Sequence, residues 1–599
     1  MMHSLNVHHT LELLYRDEDA EGGFAPISTS EAESEDDEVT DLSFVISDES
    51  EEENELPTES PTKSPVQSRH GERSRKRSRP SQAQPHHGLE PWRTGNDPDT
   101  APQISRFMPR RTPGAQVNPH ATYSPLDLFQ LYFSPSTVLT LCKNTNMYAA
   151  KKKEMGKKYQ WVDVEFEEFY KFLGLLIYTS LVSLPSIRDY WKRNRITSVP
   201  FPATVMPRNR FLFLLWNIHP SDPDEDKKND EKKGTPLYDK LFRVKPLMDN
   251  ILSACQAHYH PKKELSIDER MVATKAKTGM TQYMKNKPTR WGIKMFVLAD
   301  SGNGYTVSFN IYAGKTYTQK VHGLPYDTVM QLIQPSYLGT GYHVYMDNFY
   351  TSPQLFLDLA KMKFGACGTY RDNVKGCPTG RENALTRKSE RGTVRWIRED
   401  PLLFVKWMDS QEVSICSTIH PAVSGEVIKR KVKEKDGCWA VKDILCPTPI
   451  IAYNKNMGGV DLSDQLIQYY STHRQTTRWY RTLFFHFVDI ATTNAYILYC
   501  DICATNQVKP MTHKEFQIEL ASQLCGVDKT CVPTKRKAEH IPVPITVVTD
   551  PSLKATQGRR VCQHCNQDKK RNLTPWKCQS CDVALCLIVD RNCFADWHK

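Results

Sequence analysis

A multidomain α/β protein is what the sequence predicts, with a mixed sheet, flanking helices and a small metal-stapled tail. Three observations carry that prediction. The chain has 599 residues, too many for one hydrophobic core. Helical spacing of apolar residues gives way near residue 264 to short strand-like segments. Residues 559–599 carry paired cysteines, the spacing of a metal-bound module.

Charge is unevenly placed. Residues 1–62 hold 19 acids against one Arg, a net of −18, so the remainder carries about +28 within a whole-chain net of +10. A body that basic suits a polyanion, nucleic acid above all. The 17 cysteines are mostly scattered singly, which fits a reducing compartment, cytosol or nucleus. MMHSLNVHHTLELLY lacks the basic start and long apolar centre of a secretory signal. The run KFLGLLIYTSLVSLP (171–185) is too short and too polar for a membrane span, so no membrane partner is expected.

Taken in order, residues 1–118 are expected to be disordered: an acidic Ser-rich block, a basic one and a Pro-rich stretch offer too little apolar surface to offset ordering entropy. Arg73, Arg75, Lys76, Arg77 and Arg79 form a basic run of the nuclear-import kind, which is equally the pattern of a solvated tail. Residues 119–263 read as helical, in 123–142, 164–181, 206–219 and 238–259, with 220–236 a charged loop. Residues 264–372 form the first part of the core. ELSIDE is a short strand ending in acids, WGIKMFVLAD and YTVSFNIYAG a hairpin, HVYMD a strand, PQLFLDLAKMK a helix and GACGTYR a further strand. Residues 373–433 are a β-rich insertion, whose Trp396 and Trp407 are assigned to its core rather than to base stacking. Residues 434–470 return to the core with a helix after Gly-Gly, residues 471–535 are helical again, and 536–558 are a linker.

Two sets of residues carry chemistry. If the first and fourth core strands are neighbours, Asp268 and Asp347 meet at one sheet edge. Asp461 and Asp464 share a helix face at i, i+3. Converging carboxylates need cations to ionise together, and two hard divalent ions supply them while activating a hydroxyl against a phosphodiester. The competing reading is plain: helix-start acids favoured by the macrodipole and solvated strand ends. In the tail, Cys562 and Cys565, then Cys578 and Cys581, then Cys586, Cys593 and His598 suit tetrahedral zinc. In a cross-braced arrangement Cys578, Cys581, Cys593 and His598 complete one site. Cys562, Cys565 and Cys586 then need a fourth ligand, Asp590 or His564; the pairing stays open.

LSIDE, KNKPTRWGIKMFVLADSGNGY, YHVYMDNFYTS and YNKNMGGVDLSDQLIQYYS, in that order, resemble the signature blocks of piggyBac-type transposases. MPRNRFLFLLWNIH and TRWYRTLFFHFVDIATTNAY also resemble that family's segments, so the likeness runs from about residue 120 to the C-terminus. The resemblance implies a ribonuclease H-like catalytic core whose acidic triad would be Asp268, Asp347 and Asp461, binding Mg²⁺, with Mn²⁺ as a substitute, and Asp464 as a further catalytic carboxylate. It implies cleavage of double-stranded DNA at transposon terminal repeats through hairpinned ends, joining at TTAA, a homodimer, and a nuclear location. It implies a helical DNA-binding and dimerisation domain around the core and a zinc-binding tail that holds transposon-end DNA. Arg371 and Lys375 match positions that hold target DNA, and Arg474, Arg478 and Arg481 at helical spacing are added as a DNA-facing set. Two other readings remain at this point: a domesticated DNA- or chromatin-binding descendant, and, from the tail alone, a ubiquitin ligase or histone reader.

Overall fold

The computed structural model describes residues 91–100, 102–156, 160–194, 196, 198–276, 278–285, 287, 289–314, 322–433, 438–527, 540–545, 558–579 and 581–598. The acidic head and the basic run at 73–79 lie outside the described residues. Two units divide between Cys525 and Gly526. No helix among the described residues is long and apolar enough to cross a membrane.

The first unit opens with helices whose starts are written in the sequence. α1 (Pro125–Gln130) has a capping box between Ser124 and Asp127, and α2 (Pro135–Glu154) is capped by Ser134, each with Pro in its first turn. α3 (Phe166–Leu181) buries nearly every residue from Phe169 to Ile177. α4 (Arg208–Asn217) follows. The expected charged loop at 220–236 instead holds α5 (Pro223–Asp230). Asp222 caps it, and three acids in its first turn favour the helix dipole. α6 (Lys245–His258) leads into the sheet.

That sheet has ten strands. β1 (Glu264–Ala273) pairs antiparallel with β2 (Trp291–Asp300), and β2 with β3 (Thr306–Ile311). On its other side β1 runs parallel to β4 (His343–Met346), which runs parallel to β5 (Gly365–Thr369). A helix at Leu324–Leu332 and α7 (Pro353–Lys361) flank β4 in sequence. The first and fourth core strands are therefore neighbours, as the sequence reading required. β1 is longer than ELSIDE suggests. It continues to Ala273 along β2, while its pairing with β4 stops at Ile267 opposite Met346. Asp268 thus lies mid-strand, one residue beyond the point where its parallel neighbour ends.

The expected insertion is no separate body. β6 (Val394–Glu399), β7 (Leu402–Met408) and β8 (Glu412–Ser417) extend the same sheet, because β8 pairs antiparallel with β5. Trp396 and Trp407 are fully buried there with Tyr345 and Cys367 of the core. A separate hairpin, β9 (Val427–Lys433) and β10 (Trp439–Leu445), runs past the expected boundary at 433. Ordered structure also starts earlier than residue 119. Trp92 is buried, Arg93–Thr94 adds an edge strand to β6, Met108–Pro109 pairs with Gly339–Thr340, and Gly114–Ala115 pairs with Tyr259–His260. Backbone pairing, which composition does not report, fixes this polar stretch.

α8 (Thr448–Asn456) takes in IAYNKN, and α9 (Gly459–Tyr469) follows Gly458. α10 (Trp479–Thr505) is buried along most of its length and packs on α1, α6 and β1. α11 (His513–Leu524) packs on α1 and α3. The helices after residue 470 and those before 264 therefore form one helical layer on the sheet.

In the second unit, β11 (Pro542–Pro544) pairs with β12 (Trp576–Cys578), and α12 (Cys593–Trp597) closes the tail. The residues expected to be linker from 536 thus contribute, from His540 on, to the cysteine-rich fold.

Candidate functional site

Strand register builds the acidic cluster. β4 ends at Met346 beside Ile267, so Asp347, just past that end, lies beside Asp268, which continues along β1. Ligand oxygens of Asp268, Glu269 and Asp347 lie within 4.8 Å of one another. Asp347 Oδ1 accepts the Phe349 N–H at 2.8 Å, and Asp268 Oδ1 accepts the Glu269 N–H at 2.8 Å. Asp268 Oδ2 faces Lys287 Nζ at 3.3 Å.

Asp461 arrives on α9, whose approach depends on Gly459. A Cβ there would meet Ser266 Oγ at 2.4 Å and the Asp300 carbonyl oxygen at 3.0 Å. Only glycine lets the helix start sit that close to β1. The Asp461 charge in turn raises the pKa of Asp268. Asp464, expected as a fourth catalytic carboxylate, is occupied otherwise: it takes the Arg270 guanidinium, which also donates to Ser463 Oγ at 2.7 Å. That pair ties α9 to β1, and neither Asp464 nor Asp461 is among the three acids whose oxygens converge within 4.8 Å.

Burial sets the electrostatics. It pushes Asp268 above the ordinary carboxylate range, with Asp461 and Asp347 adding to the rise and Lys287 opposing it. Burial raises Asp347, helped by Glu269, and raises Glu269, helped by Asp268. Burial alone would lower Lys287, but Asp268, Asp461, Asp464 and Glu269 outweigh it and the ammonium is held charged. Lys294 pairs with Glu269 at 3.1 Å and sits over the rings of Phe296 and Phe349. Sequence reasoning missed Glu269, Lys287 and Lys294. Glu269 follows Asp268 directly, but strand alternation assigns it to the opposite face, and only the position of Asp347 brings the two acids together.

The basic residues divide. Arg371 is exposed, donates to Asn348 Oδ1 at 3.0 and 2.6 Å, and helps to lower the Asp347 carboxyl against its burial. Lys375 is exposed on the same loop. Arg474 and Arg481 do not form the expected DNA-facing set. α10 begins at Trp479, so Arg474 precedes it, and its guanidinium donates to Thr179 of α3. Arg481 is buried and donates to the carbonyls of Trp216 and Ile218, the latter at 3.4 Å. It caps the C-terminal end of α4, where carbonyls lack helix partners. Arg478 is half-buried at the start of α10.

Eight tail side chains gather in two groups of four, each within 4.8 Å: Cys562, Cys565, Cys586 and Cys593; and His540, Cys578, Cys581 and His598. Cys565 Sγ lies 4.0 Å from Cys586 Sγ and 3.5 Å from Cys593 Sγ. His540 Nδ1 lies 3.4 Å from Cys578 Sγ and 3.3 Å from Cys581 Sγ, and His598 Nε2 lies 3.5 Å from Cys581 Sγ. Those spacings approach the edge of about 3.8 Å that a tetrahedron with metal–sulfur bonds of about 2.3 Å requires. His598 Nδ1 donates to the Phe594 carbonyl at 2.7 Å, which leaves Nε2 free to ligate. The groups interleave along the chain, so the arrangement is cross-braced, but the pairing differs from expectation. Cys593, at the start of α12, joins the first group. The fourth member of the other group is His540 rather than Asp590 or His564. The β11–β12 pairing sets Pro542 opposite Cys578 and so delivers it from upstream.

A family model described as Transposase IS4 matches residues 124–496. The chain is 26% identical over 492 residues to human PiggyBac transposable element-derived protein 3, covering 79% of this chain and 76% of that protein. It is 26% identical to the human Chimeric ERCC6-PGBD3 protein, of which it spans 42%. Its fold matches a solved piggyBac transposase synaptic complex with hairpin DNA at a TM-score of 0.60 and 22% identity, covering 80% of this chain and 98% of that one. The match over more than half its length places this chain in the transposase family, in its piggyBac-type branch.

Proposed function

We propose that the chain is a cut-and-paste DNA transposase in which Asp268, Asp347 and Asp461 hold paired Mg²⁺, or Mn²⁺ in its place, against a DNA phosphodiester. The observation that carries this reading is the gathering of half-buried Asp268 and Asp347 with buried Glu269 where the β1–β4 pairing ends. The donor set fits the group. It is all oxygen, as a hard cation requires, and burial, with neighbouring carboxylates adding to it, raises the proton affinities of Asp268 and Asp347. When bound, such ions activate a water or sugar hydroxyl and stabilise the leaving oxygen.

The chain's own residues supply the positioning. Backbone N–H donors aim Asp268 and Asp347. Gly459 and the Arg270–Asp464 pair hold α9 so that Asp461 reaches the same edge. Arg371 fixes Asn348 and, with exposed Lys375, offers positive charge to target-DNA phosphates. The sheet order β3–β2–β1–β4–β5, with the last three parallel, supports a ribonuclease H-like core. On this reading hydrolysis frees a 3′-hydroxyl, that hydroxyl closes a hairpin on the opposite strand, and the excised element joins at TTAA. The helical layer serves DNA binding and dimerisation in the nucleus. Each four-ligand tail group holds zinc, and the tail grips the terminal repeats.

Relatives named as derived from a transposable element favour a second reading, a host DNA-binding protein without strand transfer. The retained acids favour the first. Nicking of a duplex carrying the repeats that flank the gene decides between them. Wild type nicks it in Mg²⁺, Asp268→Asn and Asp347→Asn lose on the order of 10³-fold in rate, and gel-shift affinity stays within about twofold. Full nicking by either variant contradicts the assignment of the acids; no nicking by wild type favours the host protein.

A further inference from the structure

Arg371 acts on Asp347 from an exposed loop, and three further cations among the described residues face the acidic cluster and are held differently. Arg270 is a β1 residue, 2% exposed, committed to Asp464 and Ser463. Lys294 is a β2 residue, half-buried, paired with Glu269 and set over two aromatic rings. Both are fixed by the sheet. Lys287 comes from the turn between the short strand Thr281–Tyr283 and β2, a turn closed by the Met284 N–H to the Arg290 carbonyl at 2.8 Å. Its side chain keeps 25% of its exposure, and it reaches in on a flexible four-carbon stem.

The contact it makes is specific. Asp268 Oδ1 is committed to the Glu269 N–H, so Oδ2 is the oxygen left for a cation, and Lys287 Nζ stands on it at 3.3 Å. That separation is longer than the 2.7–2.9 Å of a tight charge-assisted bond. Asp461, Asp464 and Glu269 also favour the charged ammonium. A divalent ion entering there competes with Lys287 for the same oxygen. A phosphodiester arriving beside the ion offers the ammonium another anion.

We propose that Lys287 is a displaceable counter-cation, holding Asp268 Oδ2 until DNA phosphate draws it away, so that divalent-ion binding and DNA binding reinforce each other. This rests on the metal reading of the acids given above. Linkage makes the effect reciprocal: DNA tightens the ion, and the ion tightens DNA by the same factor. Free acids then carry little metal, and the site loads once the strand is in place.

The test is Mn²⁺ affinity of the full chain, read by electron paramagnetic resonance at fixed salt, with and without a 40-base-pair duplex bearing a central TTAA. In wild type the duplex tightens Mn²⁺ about tenfold. Lys287→Gln binds Mn²⁺ about tenfold tighter than wild type before DNA is added, and the duplex then changes it less than about twofold. Lys287→Arg keeps the coupling. Lys294→Gln, which removes a charge of the same sign from the same cluster, keeps it too and so separates displacement from general electrostatics. Lys287→Met serves in place of the Gln variant should that one melt early. Full coupling in Lys287→Gln, or its loss in Lys294→Gln, overturns the inference while leaving the acids as ligands. Mn²⁺ binding that is absent from wild type, or unchanged in Asp347→Asn, overturns both.

Discussion

Asp347 shows how one side chain ties stability to function. Burial raises its carboxyl above the unfolded value of about 3.9. A raised folded pKa gives stability that is full below the unfolded value and lost as pH rises through the folded one. In chelator, Asp347→Asn therefore gains on wild type as pH rises from below the unfolded value through the folded one. The amide keeps the acceptor for the Phe349 N–H, so the gain reports charge alone. Melting curves across that range check it, and added Mn²⁺ narrows the difference by stabilising wild type only. Arg481 carries the opposite lesson. Arg481→Met leaves the Trp216 and Ile218 carbonyls without this donor, which costs about 1–3 kcal/mol while the salt dependence of DNA binding stays as it was. A shallower salt slope in that variant would return Arg481 to the DNA-contacting set.

Among the elements, α9 is the one on which the site turns. Gly459 lets its first turn rest on β1 and β2. Gly459→Ala forces a shift of backbone, not of a flexible tip, since the Asp300 carbonyl and Ser301 Cα are in the way. A loss of about 1–3 kcal/mol is expected, together with weaker Mn²⁺ binding because Asp461 moves with the helix. Thermal melting and a Mn²⁺ titration read the two effects separately. Elements of this kind were largely legible beforehand. The capped helices, the hairpin of β2 and β3 and the buried α10 follow from spacing and caps. The length of β1 was not, because residues 270–273 are held by pairing with β2 rather than by a pattern of their own.

At the scale of the whole molecule, two units form by different means. The first has a sheet and helical layer with an extensive apolar core, whereas the tail's small core is mostly cysteine. His540→Ala is expected to lower bound zinc from two per chain towards one, since one four-ligand group loses a member. Elemental analysis of the purified protein measures it, and circular dichroism of the first unit's helices stays unchanged. Two zinc ions retained by the variant would return the eighth position to Asp590 or His564.

The main strands and helices and the paired cysteines of the tail were legible in the sequence itself, because periodicity and ligand spacing are local properties of the chain. Which charges meet was decided only by tertiary structure. Lys287 on Asp268, Arg270 on Asp464, Arg481 on α4 and His540 on Cys578 join residues 19 to 265 positions apart. Side-chain contact at such separations depends on strand register and helix packing, and no short-range pattern records either one.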